Sequence, residues 1–254
     1  MSRVRLISVL LCLALAGPLA ASAGAGGALV AVNSLILRAD GGFQPRLLPR
    51  RQFAPIDFQG HFDIAAKGGG KPVPLEQAVI DFDRDGRLSV DGLPTCPAER
   101  VAAASTAEAR QACTGAIVGT GEIEALVDLG GSTVAPAAPL TLFNGPRLDG
   151  NPTVIIHARF TVPATQTFAI VVPIERRPGG FRYRATLDLP PIADGLGAIT
   201  HVEVKVGRRF SAGGQQRSYV SAHCSDGVLR THGHFSFGDG TIIDGSVEKA
   251  CTAR

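Results

Sequence analysis

The chain has no tryptophan, two tyrosines and 19% charged residues. With 12 phenylalanines wanted largely for a core, little aromatic surface is left for a flat sugar-binding platform. Four lysines stand against 21 arginines, a bias that suggests a GC-rich genome and says little about function. There is no G-x-S-x-G elbow, no H-E-x-x-H pair and no Walker loop, which removes the best-marked hydrolase, zinc-protease and nucleotide-binding classes. Hydrolases with sites on the loops of a β scaffold often lack short signatures, so enzymes as a whole are made less favoured without being excluded. No clean internal repeat is visible. The longest apolar run covers about 12 residues near the N-terminus, short of the roughly 20 that span a bilayer.

That run reads as a secretory signal peptide over residues 1–23. Arg3 and Arg5 precede Leu6–Ala16, and Ala21-Ser22-Ala23 supplies the small-residue cleavage site, with Ala23 as the last residue removed. Cleavage there leaves about 230 residues, enough for one large or two small domains. The net charge of +3 falls to +1, because two arginines leave and residues 1–23 hold no acid. A nearly neutral product carries no electrostatic case for nucleic acid. Cys12 leaves with the leader. The remaining Cys96, Cys113, Cys224 and Cys251 form an even set, read as the disulfides Cys96–Cys113 and Cys224–Cys251 of an extracellular protein.

Period-two alternation recurs through the mature chain. Ile56, Phe58, Phe62 and Ile64 share one face, as do Val154, Ile156, Ala158 and Phe160; then Phe168, Ile170, Val172 and Ile174; and later Val202, Val204 and Val206. Strands apolar on one side suit antiparallel sheets. Asp85-Gly86, Gly130-Gly131, Asp226-Gly227 and Asp239-Gly240 each separate two such runs, which predicts hairpins. About Asp226-Gly227 the register pairs Cys224 with Leu229, Ala222 with Thr231 and Val220 with Gly233. Ile243 and Val247 then stay on the apolar side only if the turn at Asp239-Gly240 is odd or bulged. This register sets Cys224 and Cys251 on opposite flanks of one strand, so their disulfide requires the strands to pinch together. The Ala-rich segment between Cys96 and Cys113 breaks the pattern and predicts a small helical insert, with Ser105 or Thr106 as N-cap. A boundary is conceivable over 190–197, but a single module over 24–254 fits better.

Four local patterns suggest chemistry. Asp81-Phe82-Asp83-Arg84-Asp85-Gly86 begins like a calcium loop, but the twelfth position is Gly92 instead of a bidentate Glu, and the flanks alternate like strands. Gln111-Ala112-Cys113-Thr114-Gly115 looks like a caspase nucleophile signature, yet an exported disulfide cysteine offers no thiolate. His61, His157, His201, His223, His232 and His234 all fall on polar strand phases, which suits solvent-facing imidazoles. His223, His232 and His234 could share one patch, with no acid beside them in the sequence register. Arg176, Arg177, Arg182 and Arg184 gather about one turn, where an anionic polymer or plain solvent would suit them. No cofactor, catalytic residue or metal ligand is assigned from these patterns.

One set of landmarks looks familiar as an ensemble: Phe53-Ala54-Pro55, Ile80-Asp81-Phe82-Asp83, Gly92-Leu93-Pro94-Thr95-Cys96, Cys113, Val118-Gly119-Thr120-Gly121, Leu142-Phe143-Asn144-Gly145, Cys224, Phe235-Ser236-Phe237, Asp239-Gly240-Thr241 and Cys251. In this order they resemble a group of exported proteins of unassigned function from GC-rich, actinobacterial-type bacteria. The resemblance implies one export-type β module with two disulfides and implies no activity. Thr114 departs from it, since the group often has Pro after the second cysteine.

The expected fold is therefore an all-β, antiparallel sandwich of immunoglobulin-like or jelly-roll-like type, with a small helical insert between Cys96 and Cys113. The expected function is that of an exported, non-catalytic module that binds an extracellular partner or ligand or associates with the cell envelope, without a membrane span. The alternatives are a secreted hydrolase with a loop-borne site and a metal-binding module on the histidine patch. Oligomeric state is not legible.

Overall fold

The computed structural model describes residues 26–254. The expected signal peptide and its cleavage point at Ala23 lie outside the described residues. Twelve strands form the wall of the molecule: β1 (Ala28–Val32), β2 (Leu35–Gln44), β3 (Asp57–Ala66), β4 (Leu75–Asp83), β5 (Ile117–Asp128), β6 (Ala137–Leu148), β7 (Asn151–Phe160), β8 (Gln166–Arg176), β9 (Phe181–Asp188), β10 (Gly197–Val206), β11 (Val228–Phe237) and β12 (Ile242–Ala250). Their order across the sheet is β1-β2-β3-β10-β5-β6-β7-β8-β9-β4-β11-β12. Every neighbouring pair is antiparallel.

The sheet curls until its ends meet. A Cβ at Gly245 in β12 would stand 3.5 Å from the Ala28 Cβ in β1. The fold is thus all-β, as expected, but it is one nearly closed, barrel-like wall and not two stacked sheets. Alternation marks a buried face without saying what buries it. Twist accumulated over twelve strands can bring an apolar face round onto itself as well as onto a second sheet. The inner phase is apolar, and the outer phase carries Asp63, Glu122, Glu124, Arg184 and Glu203. That is the reverse of a barrel facing lipid. No helix among the described residues is long and apolar enough to cross a membrane.

Antiparallel alternation sorts the connections between two ends. The upper end holds the turns at 33–34, 67–74, 129–136, 161–165, 189–196 and 238–241. The lower end holds the long excursions 45–56, 84–116 and 207–227, with hairpins at 149–150 and 177–180. Segment 190–197 is simply the upper crossover from β9 to β10, and strands from both sides of it share the same sheet. Across the lower end, Val220–Ala222 pairs with both Ala54–Pro55 and Gly86–Leu88. The C-terminal Thr252–Ala253 lies parallel to Leu47–Leu48.

This corrects two predicted hairpins. Gly130-Gly131 and Asp239-Gly240 do join paired strands, and β12 keeps Ile243 and Val247 on the inward phase, with Phe235 opposite Ile243, Thr231 opposite Val247 and Lys249, not Cys251, opposite Leu229. Asp85-Gly86 and Asp226-Gly227 are instead corners where the chain leaves or re-enters the wall. The Asp85 carboxylate accepts the Ser225 N–H at 2.7 Å, so the two corners are tied to each other by a long-range bond. Local turn chemistry is the same for a corner and for a hairpin. Because Val220–Ala222 does not pair with β11, the strand-pinching problem disappears. Cys224 and Cys251 form their disulfide with Cα atoms 6.0 Å apart.

The insert closes with the disulfide Cys96–Cys113, Cα atoms 5.7 Å apart. Its helix α1 (Thr106–Ala112) starts at a capping box, in which Ser105 Oγ accepts the Glu108 N–H and the Glu108 carboxylate accepts the Ser105 N–H. Val101, Ala109 and Ala116 pack with the disulfide over Phe143 of β6 and Ile155 of β7. Those two apolar residues sit on the outer phase, and the insert is what covers them. His157, also on the outer phase of β7, is fully buried by the same cover, contrary to the solvent-facing position expected for it.

Candidate ligand cavity

The inner phases of the wall do not fill the space that they enclose. A cavity of about 420 Å³ remains, within the roughly 300–1,000 Å³ typical of small-molecule sites. Its walls come from Phe58 and Phe62 of β3, Ile80 and Phe82 of β4, Ile156 and Phe160 of β7, Ile170 and Val172 of β8, Ala185 and Leu187 of β9, and Val202 and Val204 of β10. Phenylalanine rings meet edge-on at Phe58–Phe82, Phe62–Phe235 and Phe160–Phe168, with centroids 5.5 to 6.1 Å apart. Part of the room comes from paired glycines: Gly41 lies opposite Gly60, and Gly233 opposite Gly245. Two facing glycines put no side chain into the interior at that level.

The polar groups that border the cavity gather toward the lower end. Asp83 is buried, and its carboxylate accepts the N–H groups of Asp85 and Arg230, each at 2.8 Å. Burial pushes the Asp83 carboxyl above the usual carboxylate range, against the pull of those two donors. The Tyr183 hydroxyl accepts the Leu88 N–H at 3.4 Å. Tyr219 is buried in the lower wall with no partner for its hydroxyl among the described residues, and burial raises its phenol.

At the seam between β2 and β12 stands an ion pair, Lys249 Nζ with Asp40 Oδ1. Lys249 shares the inward phase of Ile243, Gly245 and Val247, whereas Asp40 lies on the outward phase of β2. Among the described residues the β1–β2 ladder ends at Ala28 opposite Ala39. The lysine stem therefore starts inside and its ammonium meets a carboxylate outside, across a part of the wall where β2 and β12 share no ladder.

Of the sequence-marked carboxylates, histidines and arginines, Asp83 and His61 border the cavity and the others fall elsewhere. The three carboxylates of the calcium-like segment all point at protein donors: Asp81 takes both arms of Arg184 at 2.8 and 2.7 Å, Asp83 takes backbone N–H groups, and Asp85 takes Ser225. Arg184 holds the Asp81 carboxyl below its usual range. Cys113 is a disulfide partner. Of the arginine cluster, Arg184 is thus engaged, Arg182 stacks with Arg87 on Phe53, and Arg176 stacks on Tyr183. His232 and His234 do share a patch, but with the acid Asp244, at 3.5 and 2.8 Å. His223 sits apart, against Asp85 and the edge of Phe53. Among the described residues, the three metal-ligating side chains that come within 4.8 Å of one another are Glu122, His201 and Glu203, on the outer wall, where His201 already holds Asp63 and Glu203 holds Lys205. Sequence reasoning missed Lys249 and Asp40. Their signal is a lysine on an otherwise apolar strand phase, visible only once the register of β12 is known.

Comparison with protein-family models, with curated proteins and with solved structures gave no match.

Proposed function

We propose that the chain is an exported, non-catalytic barrel that carries an apolar small molecule in its interior. The observation that carries this reading is the apolar cavity of about 420 Å³. Interiors normally pack as densely as organic crystals. An unfilled space lined by apolar side chains costs the packing contacts that its walls would otherwise make. An occupant that fills it replaces that cost with contacts. The two disulfides, the leader-like N-terminus and the resemblance to exported bacterial proteins support export.

The test is binding of N-phenylnaphthylamine, a dye that brightens in apolar surroundings, to the mature chain. Saturable binding is expected. Ala185→Phe and Val204→Phe, which project rings into the cavity from opposite walls, should each weaken it by about tenfold or more while leaving the β-sheet circular dichroism unchanged. A wild-type protein that takes up no dye, or filled variants that take it up as well as the wild type, would sink the reading.

A further inference from the structure

The interior is apolar, yet among the described residues a half-buried lysine shares the inward phase of β12 and lines it. Lys249 projects from the row Ile243, Gly245, Val247, and its ammonium leaves the interior only to meet Asp40 at the seam. The lysine side chain is 13% exposed, while that of Asp40 is 39% exposed. Of the two partners, the carboxylate is the one that water can take over. Among the other polar groups bordering the cavity, Arg230 is held by Asp226 and Glu248 and Asp83 by two backbone N–H groups, while Arg87 lies over the Phe53 ring and the Tyr219 hydroxyl has no partner among the described residues. Asp40 also accepts its neighbour's N–H, from Gly41 at 2.7 Å, so it stays anchored at the edge of β2 when its ammonium partner is lost.

Resting on the carrier reading above, we propose that the ligand is an anionic amphiphile, a long-chain carboxylate, whose tail fills the apolar interior and whose head takes the place of Asp40 on Lys249 at the seam. The exchange is balanced in charge. One carboxylate replaces another on the same ammonium, and the displaced Asp40 turns to solvent from a position already half in it. A neutral apolar ligand gains the same tail contacts but leaves the Lys249–Asp40 pair as it was. A cationic head would meet like charge at the seam. Asp40 acts here as a place-holder that keeps an inward lysine from standing unpaired beside an empty apolar space, where an isolated charge is costly. The same pair bridges the stretch of wall that has no ladder among the described residues, so displacing Asp40 also loosens the seam through which a tail would enter.

Displacement of N-phenylnaphthylamine from the mature chain by hexadecanoate and by hexadecanol, at neutral pH and low salt, separates the possibilities. Hexadecanoate is expected to displace the dye at about tenfold lower concentration than the alcohol. Lys249→Met should remove that preference, leaving the alcohol's value within about twofold. Asp40→Asn, which takes away the competing carboxylate, should tighten hexadecanoate severalfold. Equal potency of acid and alcohol on the wild-type protein overturns the anionic-head proposal whether or not the variants fold, and leaves the carrier reading standing because both ligands displace the dye. A preference that survives in Lys249→Met overturns it likewise. If neither the dye nor either ligand binds, both the carrier reading and this proposal fall.

Discussion

At the scale of the residue, two buried polar groups should set how stability responds to pH. His157 lies fully buried under the insert, bonded through Nε2 to the Ala104 carbonyl at 3.2 Å, with no hydrogen-bond partner for Nδ1 among the described residues. Burial lowers its imidazole from the ordinary 6.5, and nearby Arg159 and Arg110 push the same way. Its folded value is the lower one, so the unfolded chain binds the proton first. Its contribution is intact above the unfolded value and declines as pH falls through it toward the folded value. Urea unfolding at pH steps between about 7 and 5 should show stability falling, and His157→Asn should flatten that slope. Asp81 behaves as a carboxylate with a lowered value: the stability it adds is present above the unfolded 3.8 and is lost as pH falls through the folded value. Arg184→Gln should cost roughly 1–2 kcal/mol at neutral pH and little in acid that protonates Asp81, by the same unfolding assay. The sequence marks both residues, but it sets His157 in solvent and names no partner for Asp81. His157 sits on a polar phase and Asp81 in an acidic run, and neither pattern records that a distant segment, the insert or β9, comes to lie against it.

At the scale of the element, the insert is the part that was most legible. Its bounds, its helix, its Ser105 cap and its disulfide all follow from a short local stretch, where the competing forces are local too. What the stretch cannot say is why the insert exists. It covers Phe143 and Ile155, two large apolar residues on the outer phase of β6 and β7 that would otherwise face water. Replacing Cys96 and Cys113 together by serine should therefore act in two ways. Loss of the 17-residue closure should cost about 3 kcal/mol in thermal or urea unfolding. Hydrogen exchange should quicken across the insert and the β6–β7 amides beneath it before it quickens in β10 or β11. Uniform quickening over the whole wall would refute a covering role. The lower corners show the opposite case. Asp85-Gly86 and Asp226-Gly227 carry the same dipeptide as the hairpin at Asp239-Gly240, yet they turn corners that the bond from Ser225 to Asp85 ties together.

At the scale of the whole molecule, the strands were readable and their closure was not. Alternation correctly gave the inner and outer faces of β3, β7, β8 and β10. It could not distinguish an apolar face that packs on a second sheet from one that curves round an empty space, because the same residues serve both. The inward glycines at 41, 60, 233 and 245 hinted at the difference, since a sandwich core has little use for facing pairs without side chains. The seam has a consequence for the order of events in folding. Of the described wall strands β1 is the first and β12 the last in the chain, so wall closure joins the two that are most distant in sequence. Contacts of that span form late, after the loop entropy between them has been met by everything in between. A chain halted before Ile242 should show β-sheet circular dichroism yet fail to retain the naphthylamine dye. A chain in which β12 has not yet docked is, by the same token, an open sheet with its greasy side uncovered, and the compartment in which β12 docks is the one in which the protein first has an inside.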